Sequence, residues 1–258
     1  VRLAGVLTRP LSVLADLLWP PACAACGGAI EAGDRAWLCA ACEAEIALID
    51  GPACRRCGLP LGPFTVDHEG RWCAECHRRP LVFKRTAAAG EYTGALAHAV
   101  KRYKFTPRAA AAGLAGPLAR VLAERIRAED DPVLAGEIDF IAPVPLHPRR
   151  RRERGFDQAE HLARALGREL SLPVEPRTLR RTVYTSQQVW KSKAARDDNV
   201  KDAFRVRGPG RIEGRTVLLV DDVMTTGATA SACARALREA GARETRVAVV
   251  ARTVRGRA

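Results

Sequence analysis

Eight cysteines in four CxxC pairs constrain the chain more than any other feature: Cys23 with Cys26, Cys39 with Cys42, Cys54 with Cys57, and Cys73 with Cys76. Each pair offers two thiols from one tight turn, and two such turns close a tetrahedral four-thiolate zinc site. Disulfides would need an oxidising compartment, and nothing in the sequence points to export. A segment this short cannot bury enough apolar surface to fold on that alone, so metal ligation supplies much of its folding free energy. The segment also repeats itself. "CAACGGAIEAGDRAWLCAAC" and "CRRCGLPLGPFTVDHEGRWCAEC" share CxxCG, a Gly-containing hairpin and a Trp near the second CxxC. This layout predicts two ribbons, the first on Cys23, Cys26, Cys39 and Cys42, the second on Cys54, Cys57, Cys73 and Cys76. A cross-braced pairing is the alternative. His68 and His77 lie close to the ligands and either could substitute for one, but with four cysteines per site they are read as bystanders. Four thiolates also leave no open coordination position, so both zinc sites are read as structural.

The ribbons divide the chain. Residues 1–20 carry Leu7, Leu11, Leu14, Leu17 and Leu18 at helical spacing, interrupted by Arg9, Pro10 and Asp16. They read as an amphipathic helix that packs on the body, not as a secretory signal. Residues 21–80 are the double zinc ribbon and 81–258 a larger domain. No apolar run approaches the roughly 20 residues of a membrane helix, and a cytoplasmic location is expected. The formal charge of +13 is lopsided: residues 1–80 carry a net −1 and the remainder +14. A basic field of that kind attracts phosphate, on a small ligand or on nucleic acid; a solvated basic surface is the plain alternative.

Beyond residue 80 strand and helix alternate. "VFKRTAAAGEY" reads as a strand, and "TGALAHAVKRYKF" and "AAAAGLAGPLARVLAERIRAE" as helices broken at Pro107. "IDFIAPVPL" is a buried strand running into a loop, and "DQAEHLARALGRELSL" an amphipathic helix with Asp157 as its cap. "RTVLLVDDV" and "TRVAVVART" are strands on either side of the helix "GATASACARALREAGA", where Cys233 is a small core residue. Alternation of this kind predicts an α/β domain, a parallel sheet with flanking helices. The polar stretch near 180–203 is read as a long functional loop.

The stretch "VLLVDDVMTTGAT", residues 217–229, concentrates the chemistry. In a parallel sheet, ligands bind outside the carboxyl ends of the strands. Asp221 and Asp222 fall there, and a helix begins near Gly227. The turn from Thr225 through Thr226, Gly227 and Ala228 to Thr229 offers backbone N–H groups at a helix N-terminus, with hydroxyls beside them. Carboxylates would repel phosphate, so they must serve another part of the ligand; sugar hydroxyls suit them. A sugar 5-phosphate satisfies both. The chain has no GxxxxGK[ST], and "GPGRIEG" has the wrong spacing and place for a dinucleotide fingerprint.

This stretch resembles the phosphoribosyl pyrophosphate (PRPP) motif of type I phosphoribosyltransferases. With "PVPLHPRRRRERGFDQAEHLA" (143–163), "SQQVWKSKAARDDNVKDAF" (186–204) and the four knuckles, the chain is similar to the ComF family, in which a double zinc ribbon precedes such a domain. The resemblance implies that Asp221 and Asp222 bind the ribose hydroxyls while Thr225, Thr226, Gly227, Ala228 and Thr229 hold the 5-phosphate. It makes Val144–Arg149 the pyrophosphate loop, with Arg149, Arg150, Arg151, Arg152 and Arg154 supplying positive charge to it or to nucleic acid. It makes Lys191, Lys193 and Arg196 part of a catalytic loop closing over substrate, with Lys101 and Lys104 on the same basic face. Magnesium would accompany PRPP. The implied reaction displaces pyrophosphate from C1 of PRPP. No protein nucleophile is needed, and His147 is read as structural. The base-selecting hood is either residues 81–130 or the zinc module.

Three functional readings follow. One is an active phosphoribosyltransferase in nucleotide metabolism or linked to DNA uptake (natural competence). Another is a PRPP-sensing protein that binds single-stranded DNA. The last is a zinc-dependent assembly module that recruits competence or other DNA-processing proteins.

Overall fold

The structure is a computed structural model that describes residues 22–30, 37–62, 72–79, 81–105, 108–128, 137–184 and 203–254. The helix expected over 1–20, His68, and the loop residues Lys191, Lys193 and Arg196 lie outside the described residues.

Four strands form a parallel sheet in the order β1-β6-β5-β2: β1 Arg85–Glu91, β2 Phe140–Pro143, β5 Thr216–Met224 and β6 Glu244–Arg252. These strands read as near-continuous apolar runs because helices and ribbon cover both faces. On one face α3 (Gly94–Phe105), α4 (Arg108–Arg127) and α6 (Gln158–Leu170) pack Leu96, Tyr103, Leu118, Leu122, Leu162 and Leu166 onto Ile141, Leu218, Val220 and Val250. Each such large side chain stabilises the fold by about 1.5–3 kcal/mol when fully buried. On the other face α7 (Ala228–Glu239) packs Cys233 and Leu237 against Leu219, Val247 and Val249. Asp157 caps α6 as its sequence position predicts: a carboxylate oxygen accepts from the Glu160 amide at 3.2 Å.

The stretch read as one long loop has structure at its base. β3 (Leu179–Arg181) and β4 (Phe204–Val206) pair antiparallel, so its two ends leave the body side by side. The arginine run is likewise not a loop. It forms a short helix, α5 (Pro148–Arg154), with Pro148 in the first turn and His147 as its cap. His147 Nδ1 accepts from the Arg149 amide at 3.2 Å, which fits the structural role expected of it.

The two ribbons attach differently. The first, with α1 (Ala40–Ala44), forms a small cluster of its own against Ala95 and Ala99 of α3. The second, with α2 (Ala74–Arg78), belongs to the sheet's own core, where its four cysteines pack with Leu81, Phe83 and Ala88. The Thr86 amide and hydroxyl of β1 donate to the Arg55 and Arg56 carbonyls at 3.0 and 2.7 Å. Gly58 makes this closeness possible: a Cβ there would lie 3.1 Å from Ala88 Cβ and Thr86 Cγ2.

Candidate phosphate and zinc sites

The cysteines assemble sequentially. Cys23, Cys26, Cys39 and Cys42 form one cluster and Cys54, Cys57, Cys73 and Cys76 the other, with the sulfurs of each within 4.8 Å of one another. The cross-braced alternative is thereby set aside. A tetrahedron with metal–sulfur bonds of about 2.3 Å has edges of about 3.8 Å. Cys26–Cys39, Cys54–Cys76 and Cys57–Cys73 stand at 3.8, 3.7 and 3.6 Å, so the sulfurs fit a zinc ion and are far too distant for disulfides. The amides of Gly28 and Cys73 point at Cys26 and Cys54 Sγ, at 3.4 and 3.3 Å, which favours thiolate. Burial would raise the Cys23 thiol, but the Cys39, Cys26 and Ala25 amides outweigh it and bring it down to about 6. His77 stacks on Trp72 and stays outside the sulfur cluster.

At the other site β5 carries the acid pair at its carboxyl end, and the chain turns at Gly227 into α7. Gly227 is left-handed, φ 78°, and a Cβ on it would lie 3.3 Å from Leu81 and 3.4 Å from Phe83. Both demands require glycine. The first helical hydrogen bond runs from Ser231 N–H to the Gly227 carbonyl, and the Ala228 amide donates to Thr226 Oγ1 at 3.3 Å. Among the described residues the amides of Thr225, Thr226, Gly227 and Thr229 have no hydrogen-bond partner. These are free donors at the positive end of a three-turn helix.

Neighbouring strand residues project to opposite faces, and the two aspartates do so. Asp222 enters the α3 side, where its Oδ1 meets Lys104 Nζ at 3.0 Å; its side chain is 5% exposed. Its Oδ2 is buried without a hydrogen-bond partner among the described residues. Lys104, expected with Lys101 on the basic face of the arginine run and the long loop, is the counter-ion of this acid. Burial would lower its pKa, but the Asp222 charge and hydrogen bond outweigh that and raise it. Asp221 is half-buried on the side of Cys233, and its Oδ1 accepts from the Asp222 amide at 2.8 Å. Burial and then the Asp222 charge push the Asp221 carboxyl up to about 8.

The arginines of α5 divide. Arg149 pairs with Glu153 at 3.1 Å and lies over the Tyr184 ring, and Arg151 reaches Glu160 at 3.5 Å. Arg152 is exposed and Arg150 half-buried. Arg154 turns inward over Phe105, with Nη1 buried and unpartnered among the described residues. Burial lowers its pKa, and the Asp222 charge opposes that fall.

Two of the clefts among the described residues bear on the site. One of ≈ 740 Å³ lies between the second ribbon (Cys57, Cys76, Arg78, Arg79) and Thr225, Thr226 and Arg252. The other, ≈ 610 Å³, is at the amino ends of β2 and β5 and is lined by Arg177, Arg207, Arg211 and Arg215 with Asp139 and Glu175. Neither Arg252 nor this second arginine group is singled out by the sequence. Arg207, Arg211 and Arg215 share the connection between β4 and β5, and the fold brings Arg177 to them.

Residues 14–77 match the double zinc ribbon domain family and residues 152–258 the phosphoribosyl transferase domain family. The sheet begins before the second match, since β1 and β2 precede residue 152. The chain is 33% identical over 201 residues to "DNA utilization protein YhgH" of Salmonella typhi, covering 78% of this chain and 84% of the relative. It is 30% identical over 217 residues to the protein of that name in Escherichia coli K12, covering 84% and 91%. To "Competence protein F" of Haemophilus influenzae it is 30% identical over 216 residues, covering 83% and 90%. Among solved structures, the Bacillus subtilis glutamine PRPP amidotransferase matches 59% of this chain and 27% of its own at 23% identity, with a TM-score of 0.36. Among the described residues no helix is long and apolar enough to cross a membrane.

Proposed function

The chain belongs to the ComF family, with a double zinc ribbon ahead of a phosphoribosyltransferase domain, and from that premise we propose that it binds PRPP with magnesium where β5 meets α7. The observation that carries this reading is the set of amides of Thr225, Thr226, Gly227 and Thr229, without partners among the described residues, around a left-handed glycine and beside a half-buried carboxylate. The amides take the 5-phosphate, and Asp221, the half-buried acid of the pair, takes the ribose hydroxyls, with the buried Asp222 behind it, where its Oδ2 has to be uncovered before it joins them. Carboxylate oxygens are also the donors a magnesium ion prefers, and the ion would neutralise charge on the pyrophosphate. In transfer, the bond from C1 to the pyrophosphate oxygen breaks, the leaving group takes the electron pair, and an acceptor nitrogen bonds to C1 and releases its proton. The inward charge of Arg154 and the arginines of α5 would stabilise the leaving group. Lys191, Lys193 and Arg196 are assigned to the loop that shields this step from water. Calorimetry with PRPP and magnesium tests the proposal. Wild type should bind, and Asp222→Asn should bind more weakly. Absence of a heat of binding for wild type would overturn it.

A second reading has its own observation. The relatives are named for competence and DNA utilization, and the arginine cleft at the amino ends of β2 and β5 is a basic concavity away from the phosphate loop. Single-stranded DNA binding there would be sensitive to salt. Charge reversal at Arg177, Arg207 and Arg211 should weaken it more than reversal at Arg149 and Arg151, which already face glutamates. Equal loss in both sets would overturn the cleft as the site, and greater loss from Arg149 and Arg151 would return it to α5.

A further inference from the structure

The two zinc sites are alike in ligands and unlike in what they hold. One knuckle of each site offers a main-chain carbonyl to an arginine of the larger domain. At the first, Arg102 Nη1 donates to the Cys23 carbonyl at 3.0 Å from α3. At the second, Arg252, the last residue of β6, donates through Nε to the Cys57 carbonyl at 2.9 Å. Arg252 is 3% exposed, and its Nη1 continues to the carbonyls of Thr225 at 2.5 Å, Thr253 at 2.6 Å and Met224 at 3.3 Å. One guanidinium thus joins the second zinc knuckle to the first residue of the phosphate loop.

The geometry has a direct consequence for the amides. A peptide unit presents its C=O and N–H on opposite sides. Arg252 draws the Met224 and Thr225 carbonyls inward, which leaves the following N–H groups facing away from the core. The segment that leads from the second ribbon into β1 reinforces that arrangement downstream. Leu81 and Phe83 press on Gly227, and the Val82 amide donates to Ser231 Oγ in the first turn of α7 at 3.3 Å. Among the described residues the core neighbours of the first ribbon are instead Ala95 and Ala99 of α3.

We infer that the second zinc site, and not the first, sets the phosphate loop, with Arg252 as the positioning residue between them. The inference rests on the PRPP reading for its ligand, though not for its structural half. Zinc on Cys54, Cys57, Cys73 and Cys76 fixes the knuckle, the Cys57 carbonyl anchors the guanidinium, and the guanidinium orients the loop.

The burial of the ligands supplies the experiment. Cys26 of the first site is exposed, whereas all four cysteines of the second are buried, so a thiol-reactive probe should release the first zinc before the second. In the full chain, zinc release is followed with a colorimetric chelator while PRPP binding, far-ultraviolet circular dichroism and hydrogen exchange are recorded. PRPP affinity should survive the first equivalent of zinc and collapse with the second. A chain with Cys26→Ser and Cys39→Ser should bind PRPP like wild type. Arg252→Gln should weaken PRPP by about tenfold or more, as expected for lost hydrogen bonds to a charged group. Arg252→Lys, which keeps the charge, should recover part of that loss at unchanged zinc content. Loss of affinity with the first equivalent would overturn the inference. So would full affinity after the second equivalent, or in Arg252→Gln. If fully loaded wild type fails to bind PRPP, the ligand reading falls, and hydrogen exchange still decides the coupling. The amides of Ser231 and Thr253, bonded to Gly227 and Met224, should lose protection with the second equivalent while residues 218–220 keep theirs. Unchanged protection at Ser231 and Thr253 would overturn it.

Discussion

Replacing Asp221 with asparagine should stabilise the ligand-free chain, and more so as pH rises. In the native state burial and the neighbouring Asp222 charge lift this carboxyl from 3.8 to about 8. In the unfolded chain it ionises near its ordinary value. Between those two pH values the native state therefore binds more protons than the unfolded state, and wild-type stability falls as pH rises through the window. At pH 8 the whole shift corresponds to about 5 kcal/mol, at 1.36 kcal/mol per unit. Water reaches this half-buried carboxylate, and screening reduces the share expressed to about 2 kcal/mol. Asparagine is of the same size, carries no charge, and keeps an oxygen to accept the Asp222 amide hydrogen bond seen at 2.8 Å. Thermal melts in phosphate-free buffer should give a variant more stable by about 4–8 °C at pH 8, at about 2–4 °C per kcal/mol for a chain of this size. The gain should shrink to within about 1 kcal/mol at pH 5, where little of the penalty remains. A gain that is constant from pH 5 to pH 8, or a variant less stable at pH 8, would refute the assignment of a suppressed carboxylate.

The same suppression makes PRPP binding a proton-releasing event. Near pH 7 the observed calorimetric heat should vary with the ionisation enthalpy of the buffer, and equal heats in all buffers would contradict it. Lys104→Met leaves Asp222 buried without its 3.0 Å partner and should cost about 3 kcal/mol in urea unfolding, as breaking a buried pair does. Adding Asp222→Leu should restore much of that loss. Gly227→Ala forces a side chain into a left-handed backbone against Leu81, so it should cost about 1–2 kcal/mol and weaken PRPP as well.

What could be read from the sequence was what chemistry writes locally. An acid pair, a Thr-Thr-Gly-Ala-Thr turn and a helix lie within thirteen consecutive residues, and the repeated CxxC layout favours sequential zinc ligation. The Asp157 cap is local in the same sense. Long-range partnerships leave no such trace. Arg252 ends an apolar strand like any polar residue meeting solvent, yet it is buried on the carbonyl of a residue 195 positions earlier. Lys104 sits in "KRYKF", where its neighbours suggest a basic face, and only the packing of α3 on β5 turns it toward Asp222. In "HPRRRRER" the helix signals were present: a capping His147, Pro148 in the first turn, and Glu153 four residues after Arg149. The density of charge concealed them. The direction of each aspartate follows from strand alternation, but the sequence does not say which face belongs to which helix.

The charges around β5 form one electrostatic problem. Asp222 Oδ2 and Arg154 Nη1 are both buried without hydrogen-bond partners among the described residues, and each such atom costs about 1–3 kcal/mol. Asp221 holds its proton up to about pH 8, and Gly227 keeps a left-handed turn with free amides ahead of α7. None of these features helps the chain fold. A core built for stability alone would replace the acids with apolar residues and cap the helix with a side chain. On the reading proposed above, a ligand that brings hydroxyl donors, a hard cation and a phosphate together would answer the exposed members of this set, the loop amides and Asp221, directly. Unpaired donors and acceptors of both signs within one small region are hard to satisfy with a purely anionic or purely apolar partner. The proposed phosphorylated sugar therefore rests on the set of unfavourable terms together more than on any one hydrogen bond.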